Sequence, residues 1–275
     1  MKLATISHEG EDCAAIVDPQ ARRAWPLRGR TMLDLIASGE TPVAEGDGIA
    51  LDLAALRAPI PRPARNIFCV GKNYRDHVSE MAAGFGQDLP EHPILFSKVP
   101  QSVIGPGAPI RMPTGVSDAI DYEAELAVVI GRAGRGIAAG DAWSHVFGYT
   151  ILNDVTARDL QRRHVQWLIG KSLDSFCPMG PWIVTADELD AGSLDVALWV
   201  NGEQRQKANT RDLIFDIPTI IATLSAGVTL YPGDIIATGT PAGVGAGFTP
   251  PRYLKAGDAV SIEIEGIGRL ENPVQ

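Results

Sequence analysis

Two glutamates at alternate positions are the residues of this chain best suited to chemistry. Glu123 and Glu125 lie in the string DYEAEL at positions 121–126, which continues into the apolar run 127–130. Side chains two apart on a strand share a face, so we expect these carboxylates to project together. A divalent cation would remove the repulsion between them, and oxygen ligands favour Mg²⁺, Ca²⁺ or Mn²⁺ over zinc.

A third carboxylate, Asp154, follows the apolar run 146–152, at the predicted end of another strand. Three carboxylates around one cation would leave coordination positions for water and substrate. Glutamates at alternate positions also form the solvated face of many edge strands, so their spacing alone leaves a structural role open.

His77 and Glu80 are candidates for proton transfer because they lie three residues apart. On one helical turn they would share a face, and the carboxylate could orient the imidazole. A histidine with a pKa of about 6.5 can accept a proton at neutral pH. Lys171 follows an apolar run and would attract an oxyanion if it were partly buried. An exposed amphipathic turn and a solvated loop lysine are the alternatives for these residues.

A turn with the sequence TGTP at 238–241 follows a predicted strand. Gly239 permits a tight turn whose backbone N–H groups could face a carboxylate, and Thr240 adds a hydroxyl donor. Tyr74 and Arg75 lie near His77 in the sequence and could also hold an anionic group, although a surface role fits them equally. These four residues are candidates for substrate binding.

The composition is that of a globular protein, with 45% hydrophobic and 21% charged residues among 275. The net charge of -9 opposes binding to nucleic acid or to anionic membranes. Three cysteines without CxxC spacing indicate neither a disulfide framework nor a zinc site, and the first residues do not resemble a signal peptide, so we predict a cytoplasmic protein. Val165 and Phe248 occupy positions where phosphate-binding motifs need glycine, which argues against a nucleotide cofactor.

A proline-rich segment divides the chain into two predicted domains. The segment 58–64 contains three prolines, which break regular structure and mark a linker. Residues 1–63 are expected to form a small N-terminal α/β appendage with its linker, containing strands at 2–6 and 14–17 and a helix at 31–38.

Residues 64–275 are expected to form the larger, catalytic domain. Short apolar runs between turns rich in Gly and Pro favour an α+β fold that is mainly β. Clear helical patterns occur only at 156–165 and 217–226, so the regular alternation of strands and helices in a doubly wound sheet is not expected.

Five strings of the chain occur in the order seen in the fumarylacetoacetate hydrolase family: GKNYRDHVSE (71–80), DYEAEL (121–126), NDVTARDLQ (153–161), GKS (170–172) and TGTP (238–241). The chain resembles that family over about residues 64–274. The resemblance implies a mixed β-sandwich roll, a homodimer and a bound Mg²⁺ or Mn²⁺.

The resemblance also implies roles for particular residues. The segment with Gly84 and Gly86 resembles a lid that orders over bound ligand. Residue by residue, the family's pattern implies three metal ligands, three catalytic side chains and one substrate contact: Glu123, Glu125 and Asp154; His77, Glu80 and Lys171; and Gln161.

The hypothesis that follows is a metal-dependent hydrolase that cleaves a C–C bond in a 2,4-dioxo acid. An acylpyruvate, fumarylpyruvate or a diketo sugar acid would be cut to release pyruvate or a related 2-oxo acid. His77 would activate water, and the cation would polarise the substrate carbonyl. An oxaloacetate decarboxylase or a 2-hydroxymuconate-type isomerase or decarboxylase would use the same site. A non-catalytic, metal-stabilised binding protein is the alternative from a different class.

Overall fold

The computed structural model describes residues 1–81 and 88–275. Gly84 and Gly86 of the predicted lid lie outside the described residues. The described strands are β1 (Lys2–His8), β2 (Glu11–Asp18), β3 (Arg23–Leu27), β4 (Ile49–Ala50), β5 (Leu56–Arg57), β6 (Ile67–Gly71), β7 (Ile94–Lys98), β8 (Val103–Ile104), β9 (Ile120–Asp121), β10 (Ala124–Ile130), β11 (Val146–Asn153), β12 (Thr156–Ala157), β13 (Cys177–Thr185), β14 (Asp195–Val200), β15 (Glu203–Asn209), β16 (Ile235–Ala237), β17 (Ala259–Ile264) and β18 (Gly268–Pro273).

Helices are short and connect the strands. The described α-helices are α1 (Met32–Ser38), α2 (Arg75–Glu80), α3 (Arg158–Arg163), α4 (Leu168–Lys171) and α5 (Ile217–Ser225). Single turns of 3₁₀ helix occur at Leu53–Ala55, Pro100–Ser102, Ala186–Glu188, Thr210–Asp212 and Gly245–Gly247, with a longer one at Ala139–His145. Within residues 1–81 and 88–275, no helix has the length and hydropathy needed to span a bilayer.

Two sheets dominate the architecture. A 12-stranded sheet follows the path β4-β3-β2-β1-β13-β11-β10-β16-β6-β7, with β5 paired to β1 and β8 paired to β13. A 4-stranded sheet has the order β15-β14-β17-β18, and β9 pairs with β12 separately. Parallel pairing joins β6 to β16 and β8 to β13, so the large sheet is mixed. The predicted α+β, mainly β fold is confirmed.

Strand β10 lies inside the large sheet and is buried on both faces. Leu126 belongs to a core cluster that also contains Leu198 of the small sheet, so this core lies between the two sheets. Ala127 belongs to a second cluster, which also contains Met32 of α1. Since successive side chains of a strand point to opposite faces, Glu125 lies on the same face as Ala127.

The N-terminal strands continue the large sheet, because β1 pairs with β13 through Lys2 and Val184. Helix α1 begins after Thr31, whose hydroxyl accepts from the N–H of Asp34 while the Asp34 carboxylate accepts from the N–H of Thr31. This reciprocal capping confirms the predicted helix. The predicted domain boundary at residue 63 stays a prediction.

Two elements differ from expectation. The predicted helix 156–165 begins only at Arg158, because Thr156 pairs with Asp121 between β12 and β9. The branched side chain of Thr156 favours this extended backbone. The sequence does not predict strand β13, because Pro178 and Pro181 are unusual within a strand.

Replacing Ile151 with alanine should strongly destabilise the protein. Ile151 is fully buried in β11 and belongs to the core between the sheets. We expect Ile151→Ala to lower the free energy of unfolding by about 2–5 kcal/mol, measured by urea denaturation, because the lost methyl groups leave a cavity. Val228 is 42% exposed, so Val228→Ala should change the free energy of unfolding by less than about 0.5 kcal/mol. Equal losses in the two variants would contradict the assigned core.

Candidate active site

Glu123, Glu125 and Asp154 converge at one end of strands β10 and β11. One carboxylate oxygen from each residue lies within 4.8 Å of the other two, and all three side chains are buried. The strand register produces this convergence, because Ala124 lies opposite Asn153 and the N–H of Asp154 donates to the carbonyl oxygen of Glu123 at 2.9 Å. The structure therefore brings the three predicted ligands together, while metal binding itself stays a prediction.

Lys171 lies between two of these carboxylates. Its ammonium group donates to Glu123 Oε2 at 2.6 Å and to Asp154 Oδ2 at 2.7 Å. It also lies 4.9 Å from the centre of the Phe96 ring. Burial opposes the charge, but Asp154 and Glu123 outweigh burial and raise the pKa of Lys171. Lys171, which the sequence predicts to attract an oxyanion, is thus charged and buried, and it contacts carboxylates of the protein itself.

A second buried lysine, Lys98, is absent from the sequence candidates. It ends β7, and its ammonium group donates to Asp154 Oδ1 at 2.6 Å, to the carbonyl oxygen of Val155 at 3.1 Å and to the carbonyl oxygen of Lys171. Three acceptors match its three protons, which makes complete burial of the charge possible. A lysine at the end of an apolar strand usually reaches solvent, so the sequence carries little sign of this role.

Arg158, the first residue of α3, is another functional candidate that the sequence analysis missed. Its Nε donates to Asp121 Oδ2 at 2.8 Å, its Nη2 lies 2.6 Å from Glu123 Oε1, and its Nη1 donates to Gln161 Oε1 at 3.2 Å. Burial opposes its charge, but Glu123 and Asp121 outweigh burial and raise the pKa of Arg158. The arginine therefore orients Glu123 and the predicted substrate contact Gln161 together. Its place four residues after Asp154 is the available sequence clue.

Glu123 and Glu125 differ in their electrostatic surroundings. Burial would raise the pKa of Glu123, but Lys171 and Arg158 outweigh it and lower this pKa from 4.5 to about 2. Burial, together with Asp154 and Glu123, raises the pKa of Glu125 well above 4.5. Among the residues that the structure describes, Glu125 forms no ion pair. Glu125 is therefore the carboxylate that lacks a compensating charge.

The donor set of the cluster fits a hard divalent cation. Its three potential ligands are carboxylates, and Mg²⁺ and Mn²⁺ favour oxygen ligands. A cation beside Glu125 would stabilise its ionised form, which burial and the neighbouring carboxylates disfavour. The electrostatics of the described residues therefore agree with the predicted metal ligands.

The TGTP turn contributes to the cluster in two ways. The N–H of Gly239 donates to Glu125 Oε2 at 2.8 Å, so it faces a carboxylate of the protein. Only glycine fits there, because its φ is 105° and an added Cβ would lie 2.7 Å from the Cβ of Asn73. The hydroxyl of Thr240 accepts from Gln206 Nε2 at 2.8 Å, which ties the turn to the small sheet.

His77 and Glu80 form the predicted pair on helix α2. Nδ1 of His77 lies 3.4 Å from Glu80 Oε2, and the histidine is 7% exposed. Glu80 Oε1 accepts from the N–H of Gly243 at 2.9 Å, which holds the carboxylate from the other side. Asp121 accepts from the N–H groups of Gly245 and Ala246 at 2.6 and 3.0 Å. Because Arg158 also donates to Asp121, the loop at 243–246 is connected with Arg158 as well as with Glu80.

One cavity of about 400 Å³, which includes its open side, collects most of these groups. Asp154, which accepts from Lys171, is not part of the lining. The polar lining residues are Lys72, His77, Glu123, Glu125, Arg158, Gln161, Lys171 and Thr240, and the others are Val70, Gly71, Met81, Phe96 and Trp167.

Tyr74 and Arg75 lie outside this lining. Both border a separate depression that also contains Lys207 and Arg211. Tyr74 is buried, and burial together with Glu125 raises its pKa, whereas Arg75 is exposed. The structure therefore brings Gln161, Gly239 and Thr240 to the candidate site but not the Arg75 side chain, and substrate contact by Tyr74 and Arg75 stays a prediction.

Without divalent cations, Glu125→Gln should stabilise the protein at neutral pH. The pKa of Glu125 is raised on folding, so the folded protein retains a proton that the unfolded chain releases above about pH 4.5. The unmodified protein therefore loses stability as the pH rises from about 4.5 towards the pKa of Glu125 in the folded state. Glutamine does not ionise, so Glu125→Gln avoids this loss. Urea unfolding in the presence of a chelator measures the free energy of unfolding of both proteins. The difference between Glu125→Gln and the unmodified protein should be near zero at about pH 4 and should grow as the pH rises.

The exposed Glu45 provides the matched control, because Glu45→Gln removes one carboxylate without changing the cluster. Its stability should follow that of the unmodified protein across the same pH range. A Glu125→Gln protein that is less stable than the unmodified one at neutral pH would contradict the electrostatic assignment.

Comparisons with known proteins concern the family and the fold of the chain. The family model described as fumarylacetoacetate (FAA) hydrolase C-terminal matches residues 66–275. The oxaloacetate tautomerase YisK of Bacillus subtilis is 54% identical over 226 residues, which are 82% of this chain and 74% of that protein.

Two solved structures resemble the whole chain. The fumarylacetoacetate hydrolase of Exiguobacterium antarcticum has a TM-score of 0.88 at 41% identity, with 100% of this chain and 99% of that chain covered. The 2-hydroxyhepta-2,4-diene-1,7-dioate isomerase of Mycobacterium marinum has a TM-score of 0.81 at 37% identity, with 100% and 98% covered. The predicted fold type is confirmed, and the chain belongs to the fumarylacetoacetate hydrolase family.

Proposed function

We propose that this protein is a divalent-metal-dependent tautomerase that interconverts the enol and keto forms of a small 2-oxo acid, with oxaloacetate as the first candidate. The observation that carries the proposal is that His77, which contacts Glu80, lines the same cavity as Glu123 and Glu125. Similarity to the Bacillus subtilis tautomerase and to the Mycobacterium marinum isomerase supports it. This choice favours the isomerase alternative over the hydrolase hypothesis.

Glu123, Glu125 and Asp154 would hold Mg²⁺ or Mn²⁺. When bound, the cation would supply positive charge that polarises the 2-oxo group. Lys98, Lys171 and Arg158 keep the surrounding carboxylates paired and oriented. The cluster is therefore arranged before substrate arrives, which lowers the reorganisation that the reaction requires.

His77 would move the proton. It would take a proton from the carbon next to the 2-oxo group: the C–H bond breaks, its electron pair forms the C=C bond of the enolate, and the carbonyl oxygen gains the negative charge. Transfer of that proton from His77 to the oxygen completes the enol and returns the imidazole to its neutral form, and the reverse steps give the ketone. Glu80, 3.4 Å from Nδ1, would stabilise the imidazolium during the transfer.

Gln161 and Thr240 would orient the substrate. Gln161 Oε1 accepts from Arg158, which leaves its amide nitrogen to donate. The Thr240 hydroxyl accepts from Gln206, which leaves its proton to donate. Both residues line the cavity, so each can offer one hydrogen bond to a carboxylate or carbonyl oxygen of the ligand.

Hydrolysis of a 2,4-dioxo acid is the second candidate. The same histidine could remove a proton from water, and the structural similarity to the Exiguobacterium antarcticum hydrolase covers the whole chain. Decarboxylation of oxaloacetate would need the positive charge of a bound cation but no attacking water. The cytoplasmic location and the homodimer stay predictions.

His77→Gln should lower the tautomerase rate by about 10²- to 10⁴-fold, because it removes a positioned general base. The measurement follows the ultraviolet absorbance of enol-oxaloacetate in Mg²⁺ or Mn²⁺, after subtraction of the uncatalysed rate. Lys255→Gln, at an exposed position, serves as control and should keep full activity. Release of pyruvate from acylpyruvates without acceleration of tautomerisation would favour the hydrolase instead, and release of CO₂ from oxaloacetate would favour the decarboxylase.

A further inference from the structure

Two carboxylates of the site each divide their oxygens between Lys171 and another cation. Lys98 donates to Asp154 Oδ1 at 2.6 Å. Arg158 Nη2 lies 2.6 Å from Glu123 Oε1. Lys171 contacts the second oxygen of each carboxylate, at 2.7 Å from Asp154 Oδ2 and at 2.6 Å from Glu123 Oε2. One oxygen of each carboxylate is therefore paired with Lys171, and the other is paired with a different cation.

Lys171 is held by fewer contacts than the other two cations. All three protons of the Lys98 ammonium group have an acceptor, and three nitrogens of Arg158 each contact a side-chain oxygen. Within residues 1–81 and 88–275, the three protons of Lys171 have two acceptors. Lys171 also lies 4.9 Å from the centre of the Phe96 ring, and both residues line the cavity. Of the three cations, Lys171 therefore has the fewest hydrogen bonds to lose, and it borders a space into which it could move.

A divalent cation bound by the three carboxylates would need the oxygens that Lys171 contacts. The other oxygens of two of these carboxylates, Glu123 Oε1 and Asp154 Oδ1, are already paired. An ammonium group and a divalent cation on the same two oxygens would repel each other strongly in this buried cluster. The divalent cation would have the advantage, because it would also bind Glu125, with which Lys171 forms no ion pair among the described residues.

We propose that Lys171 competes with the divalent cation for Glu123 Oε2 and Asp154 Oδ2 and leaves both oxygens when the cation binds. The ammonium group then turns into the cavity, where it can donate to an oxygen of the bound 2-oxo acid. This inference rests on the proposed function and adds an order to it, because Lys171 becomes free for the substrate only after the cation has bound. Until then, Lys171 compensates the buried carboxylates.

Calorimetric titration with Mn²⁺ tests the competition. Lys171→Met removes the ammonium group and should bind Mn²⁺ at least about tenfold more tightly than the unmodified protein, because two charge-assisted hydrogen bonds no longer have to be broken. Lys98→Met is the matched control, since it also removes a buried charge beside Asp154, but from an oxygen that Lys171 does not contact. Lys98→Met should tighten binding less, and the exposed Lys255→Gln should leave the affinity unchanged.

Melting temperatures provide a second measurement on the same proteins. In a chelator, Lys171→Met should melt at a lower temperature than the unmodified protein, because Glu123 and Asp154 lose a buried partner. Saturating Mn²⁺ should raise the melting temperature of Lys171→Met by more than that of the unmodified protein, because the cation replaces the missing charge. Weaker Mn²⁺ binding by Lys171→Met, or equal gains in affinity in Lys171→Met and Lys98→Met, would overturn the inference.

A crystal structure of the unmodified protein with Mn²⁺ decides the matter even if the variants fold poorly. The Lys171 Nζ atom should lie more than about 3.5 Å from Glu123 Oε2 and Asp154 Oδ2, beyond hydrogen-bond distance, while Lys98 keeps its contact with Asp154 Oδ1. An ammonium group that still donates to both oxygens, or a cluster that binds no Mn²⁺, would overturn the inference.

Tautomerase assays separate this inference from the proposed function. Displacement of Lys171 by Mn²⁺ without tautomerisation of any 2-oxo acid refutes only the proposed function. Tautomerisation by a protein whose Lys171 stays on Glu123 and Asp154 with Mn²⁺ bound refutes only the competition.

Discussion

Repulsion among Glu123, Glu125 and Asp154 is the constraint on which the arrangement of this site depends. Buried carboxylates whose oxygens lie within 4.8 Å of one another cannot all stay ionised without positive charge nearby. Lys171 provides such charge for Glu123 and Asp154. Among the residues that the structure describes, Glu125 accepts one hydrogen bond, from the N–H of Gly239, and burial together with Asp154 and Glu123 raises its pKa. A divalent cation is the group that we propose completes this balance.

The fold places the compensating groups around the carboxylates from distant parts of the chain. Lys98, at the end of β7, reaches Asp154, which follows β11, although β6, β16 and β10 lie between these two strands in the large sheet. Helices α3 and α4 add Arg158 and Lys171. The small sheet contributes through Gln206, which accepts from the N–H of Ala124 at 2.9 Å. Both sheets are thus needed to hold one polar cluster in an apolar interior.

Local spacing made part of this site predictable. Alternation along a strand places Glu123 and Glu125 together, and the separation of His77 and Glu80 by three residues matches one helical turn. Those relationships lie within short segments, so sequence alone contains them. Most of the apolar runs became strands for the same reason, as β10 and β17 illustrate.

The remaining features depend on contacts between segments that are far apart in the chain. The ion pair of Lys98 with Asp154 spans 56 residues, and the one of Arg158 with Asp121 spans 37. The spacing of Lys98 and Arg158 in the sequence does not show that their side chains are buried. The prolines of strand β13 made it hard to predict. Arg75, the first residue of α2, is exposed and borders a different depression from the cavity of the site. These features required the three-dimensional arrangement.

Anomalous diffraction from crystals soaked in Mn²⁺ would show whether the three carboxylates hold a metal. We expect a single strong peak at about 2.0–2.3 Å from carboxylate oxygens of Glu123, Glu125 and Asp154, within the usual range of metal–oxygen distances. Density in which these side chains keep only their contacts with Lys171 and Gly239, with manganese bound elsewhere or not at all, would contradict it.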